Sequence, residues 1–287
     1  MVKNTIKYEL DGVCFELREE YDFNWLKKFG TVFRVFDQQD SGNICFGVKR
    51  GSDKLFIKYA GVKTLNYDRD INTAVENLKR TSNIYKDLKC DQLIKLKESF
   101  ETDNGYGVVF EWIEGENLHE HWNFDKYPKY THPKSAYYRY KKLPIDKRIK
   151  SINEIFKFLL NVEQLGYVAV DLYDGSIMYD FDNHITKICD IDLFRKKPTI
   201  NDIGKDFWGS KRFKSPEEYI LNSPIDEKTN VFNLGALIFG ILGYDKDHSY
   251  EKWEASKELY HIVVKAINPN REERYKSVSD FYSYFKL

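Results

Sequence analysis

Short strand-like apolar runs recur through the first sixty positions, and a longer period follows. Lys7–Leu10 and Val13–Leu17 alternate around Asp11-Gly12, a dipeptide suited to a tight hairpin turn. Three more strand-like runs follow, Thr31–Phe36, Ile44–Val48 and Lys54–Tyr59. Polar Asp37–Asn43, with Gly42, separates the first two, and Lys49–Asp53, with Gly51, the last two, which predicts an antiparallel meander. From Asp70 to Leu88 the period becomes helical: Ile71, Val75, Leu78, Ser82, Tyr85 and Leu88 recur at three- and four-residue steps on one face. Leu93–Leu96 and Gly107–Trp112 read as two further strands.

The turn composition Glu114-Gly115-Glu116-Asn117 then divides the chain into a β-rich part, 1–113, and a helical part, 114–287. Leu118–Leu143 is dense in Tyr, His and Pro and shows no period that assigns it. Ile145–Leu165 is amphipathic, with Ile149, Ile152, Ile155, Phe156, Leu159, Leu160 and Val162 on its apolar side. Glu227–Gly243, Lys257–Ile267 and Val278–Phe285 carry helical patterns. Between them, Ile177–Phe181 and Ile185–Cys189 flank Asp182-Asn183-His184 and predict a hairpin. A hairpin returns its ends to one side, so Asp171 ahead of it and Asp190 after it are expected to lie close. Two carboxylates at one mouth repel unless a cation or a proton sits between them. A loop aspartate taken alone caps a turn, and both readings stay open on these residues.

Composition narrows the function classes. Of 287 residues, Lys+Arg and Asp+Glu number 45 each, so no basic excess points to nucleic acid or to a membrane surface. No apolar run approaches a membrane span and the first residues hold no signal-peptide core. Cys14, Cys45, Cys90 and Cys189 are scattered and read as free thiols of a reducing, cytoplasmic setting. His119 and His121 lack the further ligands of a zinc site and are expected to be solvated. Oligomeric state is not legible.

The order of motifs resembles the eukaryotic-like protein kinase superfamily, in particular bacterial Ser/Thr kinases, from about Trp25 onward. Ala169-Val170-Asp171 stands where His-Arg-Asp would, Ser176 where the asparagine would, and Asp190-Ile191-Asp192 where Asp-Phe-Gly would. Gly209–Glu217, reading GSKRFKSPE, resembles the end of a kinase activation segment. Thr229–Gly235 resembles the helix start that follows it, with Asn230 in the aspartate's place, and Arg274 resembles the late arginine that pairs with Glu217. The resemblance implies an α+β, two-lobed fold and ATP- and magnesium-dependent phosphoryl transfer to Ser/Thr hydroxyls of a protein substrate. Lys58 would hold the α- and β-phosphates and pair with Glu76, although strict spacing places that glutamate near Arg80 or Thr81. The Glu111 carbonyl and the Ile113 N–H would face adenine, Asn117 the ribose, and Met178 the pocket floor, with Phe110 as gatekeeper and Gly42 in the phosphate turn. Asp171 would orient the substrate hydroxyl, Asp190 and Ser176 would bind metal, and Asp192 or Asp174 would compensate for the weak serine ligand.

Departures from the pattern keep two alternatives in view. Val170, Tyr173 in place of a lysine, the single Gly42 between Asp37 and Asp40, and Phe56 at the adenine ceiling would suit a weak or inactive nucleotide-binding scaffold. The Tyr-rich 118–143 stretch would suit the acceptor pocket of a small-molecule kinase. The hairpin at residues 7–17 precedes the resemblance and is expected to be an edge or a lid.

Overall fold

A computed structural model describes residues 5–39 and 41–286. The chain divides into two compact units, Met1–Lys89 with Ile94–Ile113, and Cys90–Leu93 with Glu114–Leu287. Asp40 lies outside the described residues.

The first unit is built on an antiparallel sheet of five strands, β3 (Thr31–Phe36), β4 (Asn43–Arg50), β5 (Asp53–Ala60), β6 (Leu96–Thr102) and β7 (Gly105–Glu111). Their order across the sheet is β3-β4-β5-β7-β6. The meander forms as the alternation predicts. The expected strand at Leu93–Leu96 does not: β6 begins at Leu96, while Leu93 bridges Ile188 of the second unit. That short apolar run is instead drawn inward at Leu93 and Ile94, both buried, and the strand proper starts where the side chains begin to reach solvent.

Alternation decides what covers each face of this sheet. Helix α1 (Ile71–Asp87), N-capped by the Asp70 carboxylate on the Asn72 N–H, packs on the face carrying Tyr106, Val108 and Phe110. Its Tyr85 ring lies 4.7 Å from Phe110 and its Ser82 hydroxyl 3.1 Å from that of Tyr106. The opposite face, with Ile44, Phe46, Ile57, Tyr59 and Val109, is covered by Phe15, Leu17, Phe23, Leu26 and Phe29. Phe15 and Leu17 come from the hairpin β1 (Ile6–Leu10) and β2 (Val13–Leu17), a separate two-stranded sheet. This hairpin is therefore neither edge nor lid. Its alternation turns Phe15 and Leu17 to one side, and the larger apolar surface available to them is the sheet's face.

The second unit packs around α4 (Glu227–Leu242), in which thirteen of sixteen residues are buried. A helix apolar on every side belongs at a core. Three other helices surround it, α3 (Ile145–Gln164), α5 (Lys257–Ala266) and α6 (Val278–Phe285). Gly235 lets α5 approach, since a Cβ there would stand 2.9 Å from Ala266 Cβ. Short strands complete the unit: β8 (Glu116–Asn117), β9 (Tyr167–Val168), β10 (Ile177–Asp180), β11 (Ile185–Ile188), β12 (Arg195–Lys196), β13 (Thr199–Ile200) and β14 (Pro224–Ile225). They pair as β11-β10-β8, β12-β9 and β13-β14. The unassigned 118–143 stretch contains a short 3-10 turn at His121–Asn123 and one α-helix, α2 (Ala136–Lys141), capped by Ser135. Tyr137 of α2 is buried and donates to the Gly240 carbonyl at 2.7 Å.

Candidate active site

The β10–β11 hairpin is closed by Asp180, whose carboxylate accepts the Asp182 and Asn183 N–H groups at 2.9 and 3.0 Å. With the turn fixed, the strands deliver Asp171 and Asp190 to one end, as the hairpin geometry required. Both residues sit in the left-handed region, Asp171 at φ 62° and Asp190 at φ 55°. Aspartate tolerates that conformation better than most side chains, but it is still an unfavourable one that surrounding structure must enforce.

Asp171 is half-buried and Asp190 exposed. Burial, and next the charge of Asp190, push the Asp171 carboxyl up to about 7. The Ser210 N–H, donated to Asp171 Oδ1 at 3.0 Å, acts in the opposite direction. Tyr173 donates its hydroxyl to Asp190 Oδ2 at 3.3 Å, and burial followed by the charges of Asp190 and Asp171 keeps this phenol protonated. The Ser176 hydroxyl is fully buried with no hydrogen-bond partner among the described residues. Asp192 is half-buried in the turn closed by the Phe194 N–H on the Ile191 carbonyl. No group of three or more His, Cys, Asp or Glu side chains able to hold a metal unaided occurs among the described residues. Asp190 and Ser176 nevertheless offer hard oxygen donors, the kind that fit a small divalent cation taking its other ligands from water and phosphate.

Asn117 and Met178 face each other in the β8–β10 pair. The Asn117 side chain is already engaged, donating to the Gly175 carbonyl at 2.6 Å and accepting the His119 N–H at 2.7 Å. Asp174 does not serve as a spare metal ligand. It is buried, and its carboxylate is held by Lys129, by both terminal nitrogens of Arg212 at 2.8 Å, and by His119 at 3.3 Å. Burial opposes its ionisation, but hydrogen bonds from His119 and Arg212 and the Lys129 charge hold it well below the usual carboxylate range. The expectation of a solvated His119 is likewise overturned. Its ring packs against Phe124 and Tyr173, and burial lowers its pKa.

The segment Gly209–Glu217 closes against the same loop. Gly209, at φ +123°, brings the chain past Asp171, where a Cβ would press on the Lys214 side chain at 3.1 Å. Ser215 and Glu218 form a reciprocal capping box at the next turn. Glu217 receives both terminal nitrogens of Arg274, at 2.7 and 3.0 Å, with Arg274 fully buried. Asn230 of α4 accepts the Ala169 N–H at 2.9 Å and so anchors the chain two residues before Asp171. This series of ties, in this order along the chain, is matched by a family model described as the protein kinase domain, over residues 40–284.

The chain belongs to the protein kinase family. No curated protein shows significant sequence similarity to it. The kinase domain implies phosphoryl transfer, with ATP as the donor, usually a divalent metal, and protein acceptors. Its fold is the family's, β-rich first and helical after.

Lys58 lies on β5 opposite Cys45 and Val108, on the face that α1 covers, and is half-buried beside Phe56 in the alternation. Phe56 lies opposite Phe110, with ring centroids 6.3 Å apart. Glu76 is exposed on α1, whereas Ala74, Leu78, Thr81, Ser82 and Tyr85 are buried. Gly42, at φ +79°, could not carry a Cβ without pressing on Ala74 and Tyr67 at 2.8 and 2.9 Å, so packing on α1 accounts for this glycine. Asp37 is tied away, accepting the Glu16 N–H at 3.0 Å. Glu111 ends β7, its side chain accepting the Lys95 N–H at 2.9 Å, and Ile113 follows as the last residue of the unit.

Proposed function

We propose that this kinase transfers the γ-phosphoryl group of ATP, with magnesium, to Ser or Thr hydroxyls of protein substrates. The carrying observation is the pair Asp171 and Asp190, with Asp171 half-buried and raised to about 7. A carboxylate that titrates near working pH is suited to accept a proton from an incoming hydroxyl. Asp190, exposed beside it, with Ser176 behind, would hold magnesium, which would neutralise charge on the phosphates. Lys58 would hold the phosphates, with Glu76 as its proposed carboxylate partner. Glu111, Ile113, Asn117 and Met178 would contact the nucleoside, and Gly42 would shape the phosphate turn. Asp192 would contribute to the magnesium site. The Gly209–Glu217 segment, fixed by Arg274, is the surface on which a protein acceptor would rest.

A second reading, a nucleotide-binding scaffold without turnover, is favoured by the Tyr173 hydroxyl on Asp190 and by Gly42 being claimed by packing. Thermal shift with ATP, with and without magnesium, combined with intact mass after incubation, separates the two. Magnesium-dependent stabilisation with added phosphate supports the enzyme; stabilisation with no mass gain, and no transfer to a general acceptor protein, supports the scaffold.

A further inference from the structure

Arg212 lies outside every catalytic role assigned above, yet it joins four separate stretches of the second unit. Its guanidinium forks onto both oxygens of Asp174 at 2.8 Å. One arm also reaches Asp245, which follows α4, and the other lies 3.1 Å from His119 Nδ1. Lys129 adds a second cation on Asp174 and also lies 3.1 Å from His119 Nδ1. Burial lowers the His119 pKa and so favours a neutral ring. Two cations thus face two carboxylates, and the cluster balances without an added ion.

Its position gives it a consequence. Asp174 is three residues from Asp171 in the same short loop, and Arg212 is two residues from Ser210, whose N–H bonds Asp171. The loop and the segment are therefore riveted at two neighbouring points. The Ser210–Asp171 contact is a single hydrogen bond at a half-exposed site, whereas the Arg212–Asp174 fork is charge-assisted, bidentate and largely buried, with Asp174 3% exposed. We infer that Arg212 is a positioning residue for the phosphoryl-transfer reaction, seating the Gly209–Glu217 segment on the Asp171 loop through Asp174 with charges the chain itself supplies.

This inference rests on the kinase reading, so its deciding measurement needs no turnover. Hydrogen exchange would be compared between the wild-type chain and Arg212→Gln over residues 168–178 and 207–215, with β1–β2 and α6 as remote references. Lys129 remains to neutralise Asp174 in this variant, but among the described residues Asp245 keeps only the Tyr130 hydroxyl as a hydrogen-bond donor, at 2.9 Å. Arg212→Gln/Asp245→Asn removes that stranded charge and is the second arm should the single variant fold poorly. Exchange at least about tenfold faster in both stretches, with the references unchanged, is expected. Unchanged exchange there, or an equal rise everywhere, would overturn the proposal. Where the wild type phosphorylates a general acceptor protein, kcat should also fall about tenfold or more with KM for ATP unchanged. A rise in KM for ATP with kcat intact would count against positioning. A wild type without turnover would sink the kinase reading and leave the exchange result standing on its own.

Discussion

A carboxyl raised to about 7 is a cost to the fold as well as an asset to chemistry. Unfolded, Asp171 would titrate near 3.8; folded, it keeps its proton to about 7. Between those values the folded chain binds the extra proton, so stability falls as pH rises through the window and levels off above it. Asp171→Asn abolishes the ionisation while keeping an acceptor for the Ser210 N–H. The variant should be more stable than wild type by about 1–3 kcal/mol at pH 8 and little different at pH 4. Thermal melts across that range check this, and a constant offset would show that Asp171 titrates normally. Asp190 acts through charge in a second way. Asp190→Asn should abolish magnesium-dependent nucleotide stabilisation at similar melting temperature, and should also move the Asp171 titration downward; full retention of the magnesium effect would remove Asp190 from the metal site. The closeness of these two aspartates was legible because a hairpin has one geometry. The ties on Asp174 were not: Lys129 and Arg212 are 45 and 38 residues away, and no local period marks such a meeting. The one available signal was the density of His, Lys and Tyr in a stretch with no helical face.

Elements, more than single residues, decide whether the Gly209–Glu217 segment holds its shape. Glu217 and Arg274 are joined by two hydrogen bonds at a buried site, and Arg274 also donates to the carbonyls of Lys228, Asn268 and Pro269. Arg274→Ala should therefore destabilise by about 3–5 kcal/mol, since it leaves a buried carboxylate short of its main partner. Glu217→Ala should cost slightly less, because Arg274 keeps its carbonyls while the Thr229 hydroxyl loses an acceptor. The double variant should cost much less than the sum, and additive losses in the denaturation cycle would show the pair to be uncoupled. This contact was readable from sequence, since both ends lie in motifs of fixed order. Helix α2 was missed for a local reason. Its buried Tyr137 and Tyr140 recur at helical spacing, but tyrosine is also at home in irregular surface segments, and prolines at 128, 133 and 144 suggested continued loop. The Leu93–Leu96 run failed as a strand because three apolar residues around Lys95 specify burial without specifying a partner.

At the scale of the whole molecule, the family match and the folded unit do not share a boundary. The match begins at residue 40, yet β3 and everything that covers one face of the five-stranded sheet lie before it. Phe15, Leu17, Phe23, Leu26 and Phe29 are each no more than 5% exposed, and Phe23 and Phe15 meet Phe46 with ring centroids 5.3 and 6.2 Å apart. Each such side chain contributes roughly 1.5–3 kcal/mol by burial, so their combined removal would be comparable to the whole net stability of a domain. A chain starting at residue 40 would also leave β4 as an unpaired edge beside an exposed apolar face, a template for aggregation. It should be insoluble or oligomeric, and near-ultraviolet circular dichroism should lack the native signal. Phe15→Ala in the full chain provides the graded version, with an expected loss of about 3–5 kcal/mol. A monomeric, cooperatively melting chain from residue 40 would show that the first unit folds without its hairpin, and the apolar contacts across that face would then be worth far less than their burial implies.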